Sequence, residues 1–486
     1  MPIQLVSEIE QTFKGLSSDE KDTCTIEGSV ITGFELAAKD EIAEKLRCWA
    51  TTARGRVIFD VPIDKLPGVL KLRSIDNCYI LIGLNHQFDY GSSTEESLKS
   101  IEKYMNDLIW EKGLSIWKNI TQFSGSIEQN PCKKSETKEG DEIPKQKKIK
   151  TNDENEINHT ETLKTETVDN DENSAYNSFN FWSYLKDETI EDSKESKSIA
   201  NGHAHNDKVS EDKDKLNADD EKNSSDNFPT FRVTCYRTGE GKNKHKFQSG
   251  EAAAAFGGAV MDHFNWKVKM KQYDLEIVLN VVNKMCYVGL TLTKESLHNR
   301  NIVDFGPTTL RPTICYGLLH LASIQPSDRV IDPMCGGASI PIEGALAFPE
   351  AYYMCGDNHE KAIARTVSNL SHHENKLPID AFQWDATCLP LKDGCIDVVI
   401  TDLPFGKRMG SQFNNRTLYP QFLEEMARIC RPKWGRAVIL TQDKNNFFKT
   451  VQRFGKLWKN PRTLHINIGG LAGSVFVLQR TALCKN

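Results

Sequence analysis

The pattern of apolar and polar positions predicts three folded segments and one polar stretch. Residues 304–486 repeat a short apolar run followed by a helical pattern, with helical patterns between the first five strands and a short loop between the last two. This order is typical of an α/β fold built on a doubly wound, Rossmann-like seven-stranded sheet that ends in an antiparallel pair. The predicted strands are residues 329–332, 352–355, 381–384, 396–401, 437–441, 464–468 and 474–479.

Two earlier segments, residues 25–123 and 228–297, each combine apolar strands with helical patterns, which predicts α+β units. In the first, Ile42, Ala43, Leu46 and Trp49 predict one helix, and residues 94–110 predict another. In the second, strands are expected near residues 230–237, 274–280 and 285–290, with a helix between the first two. Both units are expected to precede the α/β domain.

Residues 133–227 differ sharply in composition from the rest. The span holds 15 Lys and Arg against 25 Asp and Glu, and because the whole chain has 61 and 67, the remainder has a net charge of +4. With so few apolar residues the span cannot offset its chain entropy, which predicts disorder. An aromatic run at 179–185 is expected to pack on a neighbouring domain or form a short partner motif.

The cysteines and the N-terminus indicate the compartment. The 13 cysteines include no CxxC pair, which argues against a zinc ribbon, a disulfide scaffold or another metal site and for reduced, mostly buried thiols. No signal peptide and no run of 18 apolar residues is found, so secretion and membrane spanning are not expected. The expected location is cytoplasmic; the lysine run at 145–150 is a candidate nuclear signal, although such runs are common in solvated loops.

Acidic residues stand at the ends of four predicted strands. Asp332, Asp357, Asp385 and Asp402 each follow an apolar run of the α/β segment. One such Asp would be an ordinary helix cap, but four in order along one sheet would line one crevice. There they can hold a cationic amino acid group indirectly, a ribose diol, an adenine amino group and the substrate.

Two of these strand ends carry further signals. After Asp332 comes a small-residue turn that opens a helix, which is the usual geometry of a nucleotide-cofactor site. The candidate cofactor-binding residues are Asp332, Cys335, Gly336, Gly337, Asp357, Asn358, Asp385 and Ala386. After Asp402 come Pro404, which ends the strand, and Phe405, whose ring can stack on a base. Together these features predict a methyltransferase that acts on a nucleobase, with Asp402, Pro404 and Phe405 as its catalytic set.

The chemistry of Asp402 favours guanine over adenine. Guanine presents N1–H and N2–H₂ on one edge, and an ionised carboxylate is acceptor-only with two oxygens. The carbonyl of Leu403 or Pro404 can accept the other amino hydrogen. Adenine offers a donor beside an acceptor, although related acid–proline–aromatic motifs also serve adenine enzymes. Catalysis would rest mainly on alignment and electrostatics, with the base flipped out of its helix.

Basic residues around the first strand of the 228–297 unit are candidates for phosphate contacts. From composition alone, a solvated rim is an equally good interpretation. The residues are Arg232, Arg237, Lys242, Lys244, Lys246 and Lys267.

The motifs at 330–345, 401–410, 306–313 and 299–301 resemble those of class I S-adenosylmethionine-dependent RNA methyltransferases that carry an N-terminal THUMP domain. The resemblance implies S-adenosyl-L-methionine as the cofactor, a ferredoxin-like domain at 25–123 and a THUMP RNA-binding domain at 228–297. It implies methylation of N2 of a guanosine in the tRNA acceptor stem, near position six, and THUMP contacts with the 3′ end of tRNA. It also implies a partner, a small zinc-ribbon activator subunit that docks on the sheet edge in a heterodimer.

One residue departs from the family pattern. Similar enzymes read Cys-Gly-x-Gly in the cofactor turn, whereas Ala338 stands here in place of the last glycine. If that position requires a positive φ, a Cβ costs roughly 1 kcal/mol, and cofactor affinity would be affected. A catalytically weakened RNA-binding scaffold is therefore one alternative, and guanine-N2 methylation of another structured RNA is a second. The four strand-end acids favour an enzyme over a scaffold.

Overall fold

The computed structural model describes residues 13–127, 228–239, 244–297, 300–404 and 412–483. These residues form two seven-stranded sheets with helices packed against them. The segment 133–227, with its aromatic and basic runs, lies outside the described residues. Within the described ranges, no helix is both long and apolar enough to cross a membrane.

The first sheet takes its strands from both α+β segments of the sequence. In space their order is β2-β3-β1-β4-β7-β6-β5. The strands are β1 (Thr23–Val30), β2 (Ala50–Ala53), β3 (Arg56–Pro62), β4 (Ile75–Asn85), β5 (Phe231–Thr238), β6 (Leu275–Val282) and β7 (Met285–Thr291). β4 and β7 pair antiparallel, with Tyr79 opposite Thr291 and Ile80 opposite Leu290. The segments 25–123 and 228–297 therefore complete one sheet together.

Among the described residues, five helices accompany this sheet: α1 (Glu35–Leu46), α2 (Leu66–Val69), α3 (Thr94–Tyr104), α4 (Trp110–Thr121) and α5 (Ser249–Phe264). The prediction of one helix over 94–110 is wrong, because α3 ends at Tyr104 and a 3₁₀ turn follows. The chain turns there because the Ile109 amide donates to the Ile82 carbonyl at 2.9 Å, which ties it to β4. The placement of Trp49 in a helix is also wrong. α1 ends at Leu46, Arg47 adopts φ +57°, and Trp49 is 72% exposed.

The second sheet carries the predicted α/β fold. Its strands are β8 (Arg329–Asp332), β9 (Tyr352–Asp357), β10 (Ile379–Gln383), β11 (Val398–Asp402), β12 (Arg436–Thr441), β13 (Trp458–Ile468) and β14 (Leu471–Arg480). They lie in the order β10-β9-β8-β11-β12-β14-β13. The first five are parallel, and β14 runs antiparallel to β12 and β13. The seven strands and the antiparallel final pair are thus confirmed.

In the part of the second unit that the structure describes, the helices are α6 (Pro312–Leu321), α7 (Ser339–Ala347), α8 (Glu360–Ser371), α9 (Gln412–Ile429) and α10 (Lys444–Arg453). A helix was expected between each of the first five strands, and this is wrong for the connection between β10 and β11. Residues 384–397 form turns instead. Pro390 interrupts any helix there, and Gly394 adopts φ +62°.

The two sheets are joined by a buried polar clamp. Glu343 on α7 is 1% exposed and accepts hydrogen bonds from Arg73 at 3.0 Å, Arg300 at 2.9 Å and Asn301 at 2.7 Å. Arg73 belongs to the first unit, so the motif at 299–301 acts in part at this junction. Thr313 donates to Asp76 at 2.7 Å nearby, which adds a second polar tie between the units.

Candidate active site

A cavity of about 540 Å³ opens at the carboxyl ends of the parallel strands. β8 lies between β9 and β11, so the strand order reverses at β8 and a crevice forms there, as expected at a topological switch point. Every predicted cofactor or catalytic residue that the structure describes lines this cavity; Phe405 lies outside the described residues. The lining residues of that set are Asp332, Cys335, Gly336, Gly337, Asp357, Asn358, Asp385, Ala386, Asp402 and Pro404.

The turn after β8 forms an open cradle. Gly336 adopts φ +58°, and a Cβ built on it would meet no atom within 4 Å. Its amide donates to the Asp357 carboxylate at 3.1 Å, while the Cys335 amide donates to the Gly356 carbonyl at 2.9 Å. Asp357 thus ties the turn to the end of β9. A ligand can approach the backbone at Gly336 closely, because no side chain stands there.

Ala338, which replaces the last glycine of the family pattern, has a positive φ angle. Its φ is +65°, so its Cβ carries the strain expected for a non-glycine residue in the left-handed region. Its side chain is fully buried in the apolar core and does not line the cavity. The methyl group therefore strains the turn locally without occupying ligand space.

Cys335 is held as a neutral thiol. A hydrogen bond to Cys355, together with burial, raises the pKa of Cys335 well above its usual value. Its sulfur also lies 3.5 Å from the Thr366 hydroxyl. Because the thiolate is the nucleophilic form, Cys335 is suited to shaping the turn and not to covalent catalysis.

Two acids end the adjacent strands β8 and β11 at the switch point. Burial raises the pKa of Asp332 well above its usual value, and the neighbouring charge of Asp402 raises it further. One Asp332 oxygen accepts from the Met334 amide at 3.3 Å, whereas the other is buried and makes no well-formed hydrogen bond among the described residues. The Thr401 hydroxyl is the nearby group that opposes the rise in the pKa of Asp332. Loss of hydration, with a smaller contribution from Asp357, raises the pKa of Asp402 to about 7. A cationic ligand would stabilise the ionised form of both acids.

The backbone behind Asp402 is fixed by side chains of α9. The Pro404 carbonyl accepts from the Tyr419 hydroxyl at 2.9 Å and from the side-chain Nδ2 of Asn415 at 3.0 Å. The Tyr419 hydroxyl also lies 3.0 Å from the hydroxyl of Thr441 at the end of β12. Both lone pairs of the Pro404 carbonyl are thus in use. Of the two carbonyls considered for the amino hydrogen, the Leu403 carbonyl is the better candidate.

This donor set fits S-adenosylmethionine. The buried Asp332 oxygen that makes no well-formed hydrogen bond within the described ranges is available to a cationic group of the ligand, and the open turn at Gly336 leaves space for it. Asp332, Asp357 and Asp385 suit the ammonium group, the ribose hydroxyls and the adenine amino group. Asp357 and Asp385 each also fix their own turn, since Asp357 accepts from the His359 amide at 2.9 Å and Asp385 from the Thr387 amide at 2.8 Å.

The predicted phosphate-binding residues do not form one patch. β5 is an edge strand, and Arg232 and Arg237 are five residues apart on it, so they lie on opposite faces and about 17 Å apart. Arg232 pairs with Glu276 at 2.7 Å and stacks on Tyr273. Lys267 is exposed at the Arg232 end of the strand. Lys244 and Lys246 are exposed and follow the Arg237 end, and Lys242 lies outside the described residues.

Four residues that line the cavity were not predicted from the sequence patterns. Arg311, Arg365, Leu418 and Gln442 all line the cavity. Gln442 directly follows β12. A search for polar residues at strand ends would have found it if side-chain amides had been included with the acids. Arg365 and Leu418 lie within helices, where no local signal marks them.

Comparison with known proteins gives consistent results over nearly the whole chain. Residues 300–472 match the RMKL-like methyltransferase domain family and residues 210–291 match the THUMP domain. The chain is 40% identical to the tRNA (guanine(6)-N(2))-methyltransferase THUMP3 of Bos taurus, covering 96% of this chain and 90% of that protein. It is 38% identical to THUMP3 of Homo sapiens, covering 97% and 91%.

Among solved structures, TrmN from Thermus thermophilus aligns with a TM-score of 0.61 at 17% identity, covering 94% of this chain and 99% of that one. This likeness confirms the fold, and the sequence relatives supply the family. The chain belongs to the family of THUMP-domain, S-adenosylmethionine-dependent RNA methyltransferases that includes the THUMP3 proteins.

Proposed function

We propose that this protein transfers the methyl group of S-adenosylmethionine to N2 of a guanosine in the tRNA acceptor stem, at position six. The observation that carries the proposal is the position of Asp402. It ends the central strand β11 and lines the same cavity as the Gly336 cradle. The names of the THUMP3 relatives support the choice of tRNA and of position six.

Asp402 and the turn behind it would orient the base. When bound, S-adenosylmethionine supplies an electrophilic methyl group on a sulfonium. The Asp402 carboxylate accepts N1–H and one N2–H of guanine, and the Leu403 carbonyl accepts the other N2–H. Held in this way, the N2 lone pair is drawn out of conjugation with the ring and directed toward the cofactor side of the cavity. When N2 gains the methyl group, S-adenosylhomocysteine is the leaving group, and the proton that N2 loses can pass to the Asp402 carboxylate. Alignment would supply most of the rate enhancement, and no strong base is required.

A partner is part of the proposal. We expect the small zinc-ribbon activator subunit to dock on β10, which is an edge strand of the second sheet. Phe382 on β10 is 43% exposed, and Tyr352 at the start of the adjacent strand β9 is 40% exposed. An apolar side chain on an open strand edge supports docking by strand addition. Replacement of Phe382 by Asp should abolish co-purification of the two subunits, whereas retention of the complex would exclude this edge.

The test of function is methyl transfer from labelled S-adenosylmethionine to total tRNA, using the chain with the activator subunit. Nucleoside analysis should show N2-methylguanosine, and Asp402→Ala should remove it. The control variant is Asp393→Ala, which changes an exposed carboxyl of the same domain outside this cavity. Methylation of another structured RNA but not of tRNA would favour the alternative substrate, and absence of both transfer and cofactor binding would favour the scaffold.

A further inference from the structure

Arg365 lies between the two loops that enclose one end of the cavity. It belongs to α8, the helix that follows β9 and Asp357. A Cβ built on Gly306 would lie 2.9 Å from its Nε and 3.3 Å from its Nη2, and one built on Gly337 would lie 4.0 Å from its Cβ. The arginine stem therefore passes the cofactor turn, and its guanidinium lies against the loop at Gly306.

The guanidinium of Arg365 has no counter-ion within the described ranges. Its Nε is buried and makes no hydrogen bond there. By contrast, Arg73, Arg300 and Arg329 each hold a carboxylate at about 3 Å. A half-buried cation without a partner is costly. The position is explained if a ligand brings the missing anion into the cavity.

Charge complementarity identifies that anion. The acidic side chains at the cofactor half of the cavity are Asp332, Asp357 and Asp385, which suit the cationic and hydroxyl groups of S-adenosylmethionine. His359 also lines the cavity, and the second arginine of the lining, Arg311, lies near Gly469 in the loop between β13 and β14. The only anionic group of that molecule is its carboxylate. A guanidinium presents paired donors that match a carboxylate in a bidentate geometry.

We propose that Arg365 binds the carboxylate of the methionine part of S-adenosylmethionine and fixes that end of the cofactor beside Gly337. The inference deepens the proposed function and rests on it only for the identity of the cofactor. It makes Arg365 a cofactor-binding residue that discriminates the complete amino acid moiety from nucleosides that lack it.

The experiment compares two ligands that differ in this moiety. Calorimetry with the full chain measures Kd for S-adenosylhomocysteine and for 5′-methylthioadenosine, which has no carboxylate. Arg365→Gln should raise the Kd for S-adenosylhomocysteine about ten- to hundredfold. The Kd for 5′-methylthioadenosine should change by no more than about twofold. Arg365→Lys keeps the positive charge but not the paired donors of the guanidinium. Its Kd for S-adenosylhomocysteine should lie between those of the wild type and Arg365→Gln. The matched control is Arg453→Gln, since Arg453 is an exposed arginine of the same domain outside this cavity, and it should leave both Kd values unchanged. Arg311→Gln tests the second arginine that lines the cavity.

Several results would overturn the inference. Equal weakening of both ligands by Arg365→Gln would mean that the side chain supports the shape of the cavity and does not bind the carboxylate. An unchanged Kd for S-adenosylhomocysteine, or a selective loss in Arg311→Gln, would assign the carboxylate elsewhere. If the wild-type chain bound neither ligand, the proposed function itself would be contradicted, a result distinct from the other two.

Discussion

The hydroxyl of Tyr419 donates a hydrogen bond of 2.9 Å to the carbonyl oxygen of Pro404. A side chain of α9 thus fixes the turn that follows β11 and Asp402. Tyr419 is fully buried, and its hydroxyl also accepts from the side-chain Nδ2 of Asn415 at 3.1 Å. The backbone beside Asp402 is thereby held by groups that do not line the cavity themselves.

Replacement of Tyr419 by Phe should lower kcat about tenfold with little change in cofactor Kd, because a small displacement of the turn misaligns the amine. Stability should fall by about 1–2 kcal/mol. The control is Tyr353→Phe, which removes a comparable hydrogen bond of 3.2 Å to the Phe348 carbonyl away from Asp402. If both variants lost stability but neither lost kcat, Tyr419 would have a structural role only.

The raised pKa of Asp402 predicts a pH-dependent rate. Only the ionised carboxylate accepts both guanine hydrogens, so kcat/KM should rise as pH increases through about 7 and level off above it. Initial rates measured with both substrates well below their KM values report the free enzyme. The isosteric variant Asp402→Asn should be nearly inactive and show no step in this range. A wild-type profile that is flat between pH 6 and 8 would argue against the carboxylate as the acceptor.

The clamp at Glu343 should contribute strongly to stability. Glu343→Ala leaves Arg73 and Arg300 without their shared carboxylate, and breaking a buried ion pair costs about 3–5 kcal/mol. Glu350→Ala, at an exposed position just beyond the same helix, should change stability by less than about 0.5 kcal/mol. Denaturant unfolding of both variants measures the difference. Similar midpoints would mean that the apolar contacts alone join the two units.

The cofactor turn offers a contrast between two neighbouring positions. Gly336→Ala places a methyl group in the open cradle, so cofactor affinity should fall by tenfold or more, while strain lowers stability by about 1 kcal/mol. Ala338→Gly relieves strain at φ +65° but loses a buried methyl, so stability should change by less than about 1 kcal/mol and affinity little. Cofactor titration and thermal unfolding test both. A large gain in affinity from Ala338→Gly would show that the alanine limits cofactor binding.

Local sequence patterns predicted much of the candidate site. Asp332, Asp357, Asp385 and Asp402 share a cavity because parallel strands end at the same sheet edge, and that rule needs only the strand pattern. The contacts of Pro404 could not be predicted in this way, because they come from side chains on a helix whose orientation is set by packing.

Contacts between residues far apart in the sequence also explain the errors in the predicted fold. Strand pairing between β4 and β7 joins residues about 200 positions apart, and no local pattern encodes it. The predicted helix over 94–110 had the right periodicity, but Ile109 binds the β4 backbone and the chain turns. Arg365 was missed for a related reason, since its role depends on a loop that reaches it from another part of the chain.

The pairing of β4 with β7 also sets the order of events while the protein is being made. β4 leaves the ribosome with one edge unpaired, and its neighbour on that side begins only at Met285. At 5–20 residues per second, the wait is roughly 10 to 40 s. Throughout that time the nascent chain presents an open strand edge, the kind of surface on which chains aggregate. We therefore expect newly made chains to depend on chaperones until the THUMP strands have been synthesised.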